Sequence, residues 1–200
     1  IGEKIEYEIL ELKNREVFIF AKALKESINI EEPKKKSLFV AGKELIGLEY
    51  EPLFNVPRLN SKASYKIYPA NFVNTEEGTG VVHVAPMYGV DDFDLGTAVG
   101  LPKAHTVDLE GKFIEGINPK LDGVYVKSVQ TEATILDYLK NSSNLLKIKR
   151  YEHDYPFCWR CHGPLIYYAK SSWFIAMEKL RKKLLENNKK INWVPANIKE

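Results

Sequence analysis

The residues best suited to chemistry are concentrated in one short run. Gly78-Thr79-Gly80 is followed by Val81, Val82 and His83, then by Pro86, a turn at Met87-Tyr88-Gly89, and the acid pair Asp91-Asp92 before Phe93. Two glycines around a threonine leave backbone that a ligand can approach without side-chain obstruction. Two adjacent acids permit a division of labour: one satisfies the free N–H groups where a helix starts, and the other reaches into a pocket to pair with a cationic amine. A lone aspartate in this place would read as a cap alone. His83 carries two readings, a hydrogen-bonded structural histidine or an imidazole that orients a water or a hydroxyl. A second candidate is Cys158-x-x-Cys161, which holds the only two cysteines. In an intracellular protein that spacing points to metal or redox chemistry before a structural disulfide. It supplies two of the four ligands that a structural zinc takes, with His153 and His162 close enough in sequence to substitute.

Elements that must position these residues follow from the pattern of the chain. Residues 5–12 and 16–21 cluster β-branched and aromatic side chains around the polar turn Lys13-Asn14-Arg15, which predicts a hairpin. Leu38 to Ala41, Tyr65 to Tyr68 and Gly80 to Val84 read as further short strands punctuated by Gly, Pro and Asn. Helical spacing recurs over Ala21 to Ile28, Asp92 to Val99 and Thr131 to Lys140, where Ala133, Ile135, Leu136 and Leu139 form a stripe. From Ser172 to about Asn187 a longer helix is expected, with Phe174, Met177, Leu180, Leu184 and Leu185 on one face and lysines and arginines on the other. The expected class is α+β and β-rich, with peripheral helices. A boundary near 145–155 divides a domain over 1–150 from a segment over 151–200.

Composition narrows the field without naming an activity. Apolar residues make up 44% of the 200 and aromatics 12%, a globular balance unlike that of a disordered chain. No apolar run reaches the length of a membrane span and no secretory signal layout opens the chain, so it reads as soluble and cytoplasmic. A net charge of +2 is too small to mark a nucleic-acid binder by itself. The basic clusters at 34–36, 147–150 and 181–183 fit solvated surface at least as well as phosphate contact.

The run from Gly78 to Phe93 resembles the G-T-G-x-V-H-x-A-P-x-x-G-x-x-D-[YF] signature of isoleucyl-tRNA synthetase editing domains at every defining position. Histidine at position 83 favours the isoleucyl over the valyl and leucyl relatives. Further similarities lie at Gly42-Lys43-Glu44-Leu45, Val107-Asp108, Leu121-Asp122-Gly123, Tyr155-Pro156-Phe157-Cys158-Trp159-Arg160, Ser172-Trp173-Phe174 and Trp193-Val194-Pro195. The resemblance implies a β-barrel-like editing domain, followed from residue 151 by a helical return connection toward a catalytic core. It implies hydrolysis of valine wrongly esterified to isoleucine tRNA. One missing methylene is worth only ~1–3 kcal/mol in an apolar pocket, so a synthetic site needs a second, hydrolytic sieve.

By the same resemblance the amine-anchoring aspartate falls on Asp92 and the active-site histidine on His83, with Thr79, Gly80 and Val81 beside the substrate and Asp91 as the helix cap. No protein nucleophile is evident, so water attacks directly and the terminal ribose hydroxyl of the tRNA assists. The hydrolysis needs no cofactor. Cys158 and Cys161 imply half of a zinc site that some relatives complete with a second cysteine pair. The implied partners are the acceptor end of tRNA, the valine ester and the catalytic core of a parent synthetase. Other readings stay open: a catalytically silent tRNA-binding or structural segment of the same synthetase, a valyl-type editing domain, and a small zinc module built on the cysteine pair.

The family's threonine-rich peptide and its adenylate-forming signatures are not in this sequence, which starts at Ile1. The expectation is a fragment that carries one wall of the pocket. Alone it should deacylate Val-tRNA far more slowly than a version extended upstream; equal rates in a deacylation assay would contradict this.

Overall fold

Residues Glu6–Leu12 form strand β1, the middle of a three-stranded antiparallel sheet in the order β2-β1-β3, with β2 at Val17–Ala21 and β3 at Lys34–Ala41. The computed structural model describes residues 1–30, 34–148, 150 and 152–198. Lys149 in the basic run and Tyr151 at the expected boundary lie outside that set, as do the side chains of Lys34 and Lys35. The hairpin expected from the sequence is present, with Leu10 opposite Phe18 and Tyr7 opposite Ala21. Its turn closes through Arg15, whose left-handed backbone (φ 73°) places its N–H on the Leu12 carbonyl at 3.0 Å.

Alternation along β1 serves two cores. Tyr7 faces a cluster with Ile1, Ala21, Leu24 and Leu45, while Leu10 and Leu12 face another with Phe20. Glu8 shares the second face and has no exposed surface. Its carboxylate accepts from Lys25 Nζ and from Ser37 Oγ, both at 2.7 Å. A buried carboxylate needs such partners, because desolvation without them costs several kcal/mol. Lys25 opens the short helix α1 (Lys25–Ile28), so this pair also ties that helix to the sheet.

Beyond β3 the chain of this unit is mostly irregular, interrupted by α2 (Val90–Val99) and α3 (Val129–Asn141). Helix α2 stops at Gly100, which takes the left-handed conformation (φ 78°) typical of a helix end. Helix α3 starts at Ser128, whose hydroxyl accepts from Thr131 N–H. The strand expected over Tyr65 to Tyr68 is reduced to one bridge between Glu49 and Lys66. That expected over Gly80 to Val84 does not pair in a sheet. The cause lies at its start: Ala21 N–H bonds to Thr79 O at 2.8 Å, and Gly80 (φ 73°) then turns the chain away from β2. Among the described residues the architecture is mixed α and β with a small open sheet.

The chain separates into two compact units, Ile1–Ala169 and Lys170–Glu200. In the second, helix α4 spans Met177–Asn188, starting five residues later than the spacing suggests, so Phe174 precedes it. No helix among the described residues is long and apolar enough to cross a membrane.

Because β1 carries both cores, truncating Leu10 there should be among the costlier apolar changes. Leu10→Ala is expected to lower unfolding free energy by about 2–5 kcal/mol, read from urea denaturation followed by far-ultraviolet circular dichroism.

Candidate functional site

The Gly78-Thr79-Gly80 segment is a loop whose two glycines are both left-handed, at φ 76° and 73°. Gly80 is buried, and a Cβ there would fall 2.4 Å from Ala21 Cβ, so the close approach to β2 also requires glycine. The loop is held from below at two points. Ala21 N–H donates to Thr79 O at 2.8 Å, and the Tyr7 phenol donates to Gly80 O at 2.7 Å. Thr79 Oγ1 bonds locally to the Val81 backbone, accepting its N–H at 3.3 Å. That engagement counts against Val81 N–H as a free donor to a developing oxyanion.

Thr79, Val81 and His83 are among the residues that line an apolar cavity of about 580 Å³. Ile1, Leu45, Val73, Leu95 of α2 and Leu101 also line it. His83 is exposed, which removes the reading of a buried core histidine. Pro86 packs on α2 at Gly96, where an added Cβ would meet the proline ring at 2.8 Å. The small residue therefore seats the helix against the end of the Gly78–Pro86 run.

Asp92 sits in the first turn of α2 and is half-buried. Its carboxylate accepts the Ala85 N–H and folds back over Gly89, where a Cβ would lie 2.2 Å from Oδ2. Burial pushes this carboxyl above the usual range. The Ala85 hydrogen bond opposes that rise, the charge of Asp91 adds to it, and His83 counters it. Asp92 and His83 are thus electrostatic neighbours, although Asp92 is not among the residues that line the cavity. The helix N-cap is Gly89 and makes no side-chain capping bond. Asp91 is exposed one residue into the helix, so the capping role expected for it is replaced by attraction to the helix dipole alone.

Two tyrosines escaped the reading of the sequence. The phenol oxygen of Tyr88 accepts N–H bonds from Thr106 at 2.7 Å and Val107 at 3.0 Å, fixing the turn ahead of α2. Tyr7 joins Gly2 and Gly80, receiving Gly2 N–H at 3.0 Å. Both look like ordinary apolar positions in a one-dimensional pattern, and only the direction of the hydroxyl distinguishes them. His105 stacks on Tyr168 at 3.9 Å with planes 6° apart, behind Tyr88.

Away from this site, Cys158 and Cys161 lie on a tight turn closed by Cys158 N–H to Gly163 O and His162 N–H to Cys158 O, both at 2.9 Å. Backbone N–H groups of Cys161 and Arg160 point at the Cys158 sulfur and hold its thiol below the usual value, an arrangement that favours thiolate. Among the described residues no group of three or more His, Cys, Asp or Glu converges in a way that could hold a metal, so neither His153 nor His162 completes the pair. By itself the turn offers two thiols, short of the four ligands of a closed structural zinc site.

The raised Asp92 carboxyl has a consequence for stability. Between the unfolded value, near 3.8, and the higher folded value, the native state binds the proton more tightly. Stability from this group is therefore greatest below that window and falls as pH rises through it. Asp92→Asn is expected to melt at or above the parent temperature at pH 7, with the difference shrinking below about pH 4. Melting curves across pH 3–8 check this.

Comparison with known proteins places this geometry in a family. The profile of the tRNA synthetases class I (I, L, M and V) matches residues 5–200. An isoleucine–tRNA ligase of Clostridium novyi (strain NT) is 44% identical over 96% of this chain, which spans 18% of that relative. One of Picrophilus torridus is 37% identical over the whole chain and 19% of its own length. One of Chlamydia abortus is 44% identical over 80% of the chain and 15% of its own length. The chain thus spans less than a fifth of these curated relatives, and on its sequence and its matched span it belongs to the class I tRNA synthetases, in the isoleucyl branch.

Proposed function

We propose that the first unit is the editing domain of an isoleucine–tRNA ligase, hydrolysing valine mischarged on isoleucine tRNA. The observation that carries this reading is the cavity of about 580 Å³ lined by Thr79, Val81 and His83, with the half-buried Asp92 carboxylate within electrostatic reach of the histidine. An apolar cavity takes a small aliphatic side chain and limits it by size. Asp92 pairs with the α-ammonium of the ester as the acceptor end enters, exchanging its Ala85 hydrogen bond for a charge-assisted one. His83 orients the attacking water or the terminal ribose hydroxyl, and the bond broken is the ester C–O to the ribose. No protein nucleophile, metal or cofactor takes part in this scheme. Barrel-like closure around the pocket, and a location in the cytoplasm with a synthetase core as partner, belong to the same reading.

A second reading has its own support. Asp92 faces Ala85 and lies outside the cavity lining, and Val81 N–H is already engaged. On that reading the segment is a tRNA-binding or structural part of the ligase without hydrolytic chemistry. The test is a Clostridium novyi ligase in which this chain replaces the matching segment. Asp92→Ala in that protein should slow Val-tRNA deacylation about tenfold to a hundredfold, by loss of the charge partner of the amine. Unchanged deacylation and unchanged Val/Ile discrimination would favour the silent reading.

A further inference from the structure

Tyr7 is the one large polar side chain that is both fully buried and bonded to the Gly78–Gly80 loop among the described residues. Its ring packs with Ile1 and Leu45, and both of those residues line the cavity. Its phenol donates to Gly80 O at 2.7 Å and accepts from Gly2 N–H at 3.0 Å, so one oxygen joins two segments more than seventy residues apart in sequence. Removing that oxygen would leave a buried carbonyl and a buried amide without this partner, which neither can replace with solvent. Burial pushes the phenol above its usual range, so it remains a proton donor throughout the physiological span.

Resting on the editing reading above, we propose that Tyr7 is the positioning residue of the hydrolytic pocket, fixing the height of the Gly78-Thr79-Gly80 wall over the cavity through its hydrogen bond to Gly80. The backbone at Gly80 is packed against Ala21 on one side and bonded to Tyr7 on the other, so the loop has little independent freedom. A reacting ester placed by this wall feels a displacement of a fraction of an ångström as lost alignment with its water, whereas binding of the tRNA body, spread over other surfaces, does not.

The experiment uses the full-length ligase carrying this chain. In Tyr7→Phe, which keeps the ring, kcat for Val-tRNA deacylation should fall about tenfold or more while KM stays within about twofold. Isoleucylation by the same protein serves as the folding control. Gly80→Ala disturbs the same loop from the Ala21 side, so the two changes should combine less than additively. An unchanged kcat, a loss confined to KM, or strict additivity with Gly80→Ala overturns the proposal. If Tyr7→Phe fails the folding control, fluorotyrosines of graded acidity at position 7 replace it, and a kcat independent of phenol acidity is the overturning result. Asp92→Ala in the same assay separates the two ideas: full activity there sinks the pocket reading, whereas its loss beside an unaffected Tyr7→Phe sinks only the role of Tyr7.

Discussion

Strand β1 buries side chains on both of its faces, and that constraint organises the first unit. An antiparallel sheet commonly leaves one face in water, whereas here the flanking chain covers part of both faces of the central strand. On one face Leu10 and Leu12 are met by Phe20, and the buried charge of Glu8 is met by Lys25 and Ser37. On the other, Tyr7 is met by Ile1, Ala21 and Leu45, which brings the cavity wall against the sheet. The pocket is therefore an outgrowth of the core and not a separate feature set on its surface. Its lining begins where the packing of Tyr7 ends.

Much of this was legible in one dimension, and the reasons are local. The hairpin announces itself through alternation and a polar turn, and helices α2 and α3 through the spacing of their residues, while the Gly100 and Ser128 ends came only with the structure. The Gly78–Phe93 run marks the site because glycine, histidine and paired acids have narrow physical uses. What escaped depends on contacts between distant segments. Val81 and Val82 look like strand residues, but a positive φ at Gly80 decides that they do not pair with β2. Asp91 looks like a cap, but the cap position falls to Gly89, which has no side chain to offer. Tyr7 looks like core, and it is core; its hydroxyl has a direction that no pattern of apolar and polar letters encodes.

The geometry also ranks the carboxylates. Asp91 and Asp92 are adjacent in sequence and differ in environment: one is exposed and the other half-buried under Gly89 and beside Ala85 N–H. A group kept partly out of water, with its proton affinity raised, is unfavourable in the empty protein and gains more from a cationic ligand than a solvated neighbour would.

The tryptophans have a practical consequence for spectroscopy. All three, Trp159, Trp173 and Trp193, lie beyond the sheet and the cavity. Trp173 is fully exposed and Trp159 nearly so. Their emission reports on the cysteine turn and on the second unit, and none of the three sits in the strands to report on them directly. A tryptophan placed in the sheet would give the core an optical signal of its own, and the natural emission would then serve as an internal reference for the rest of the chain.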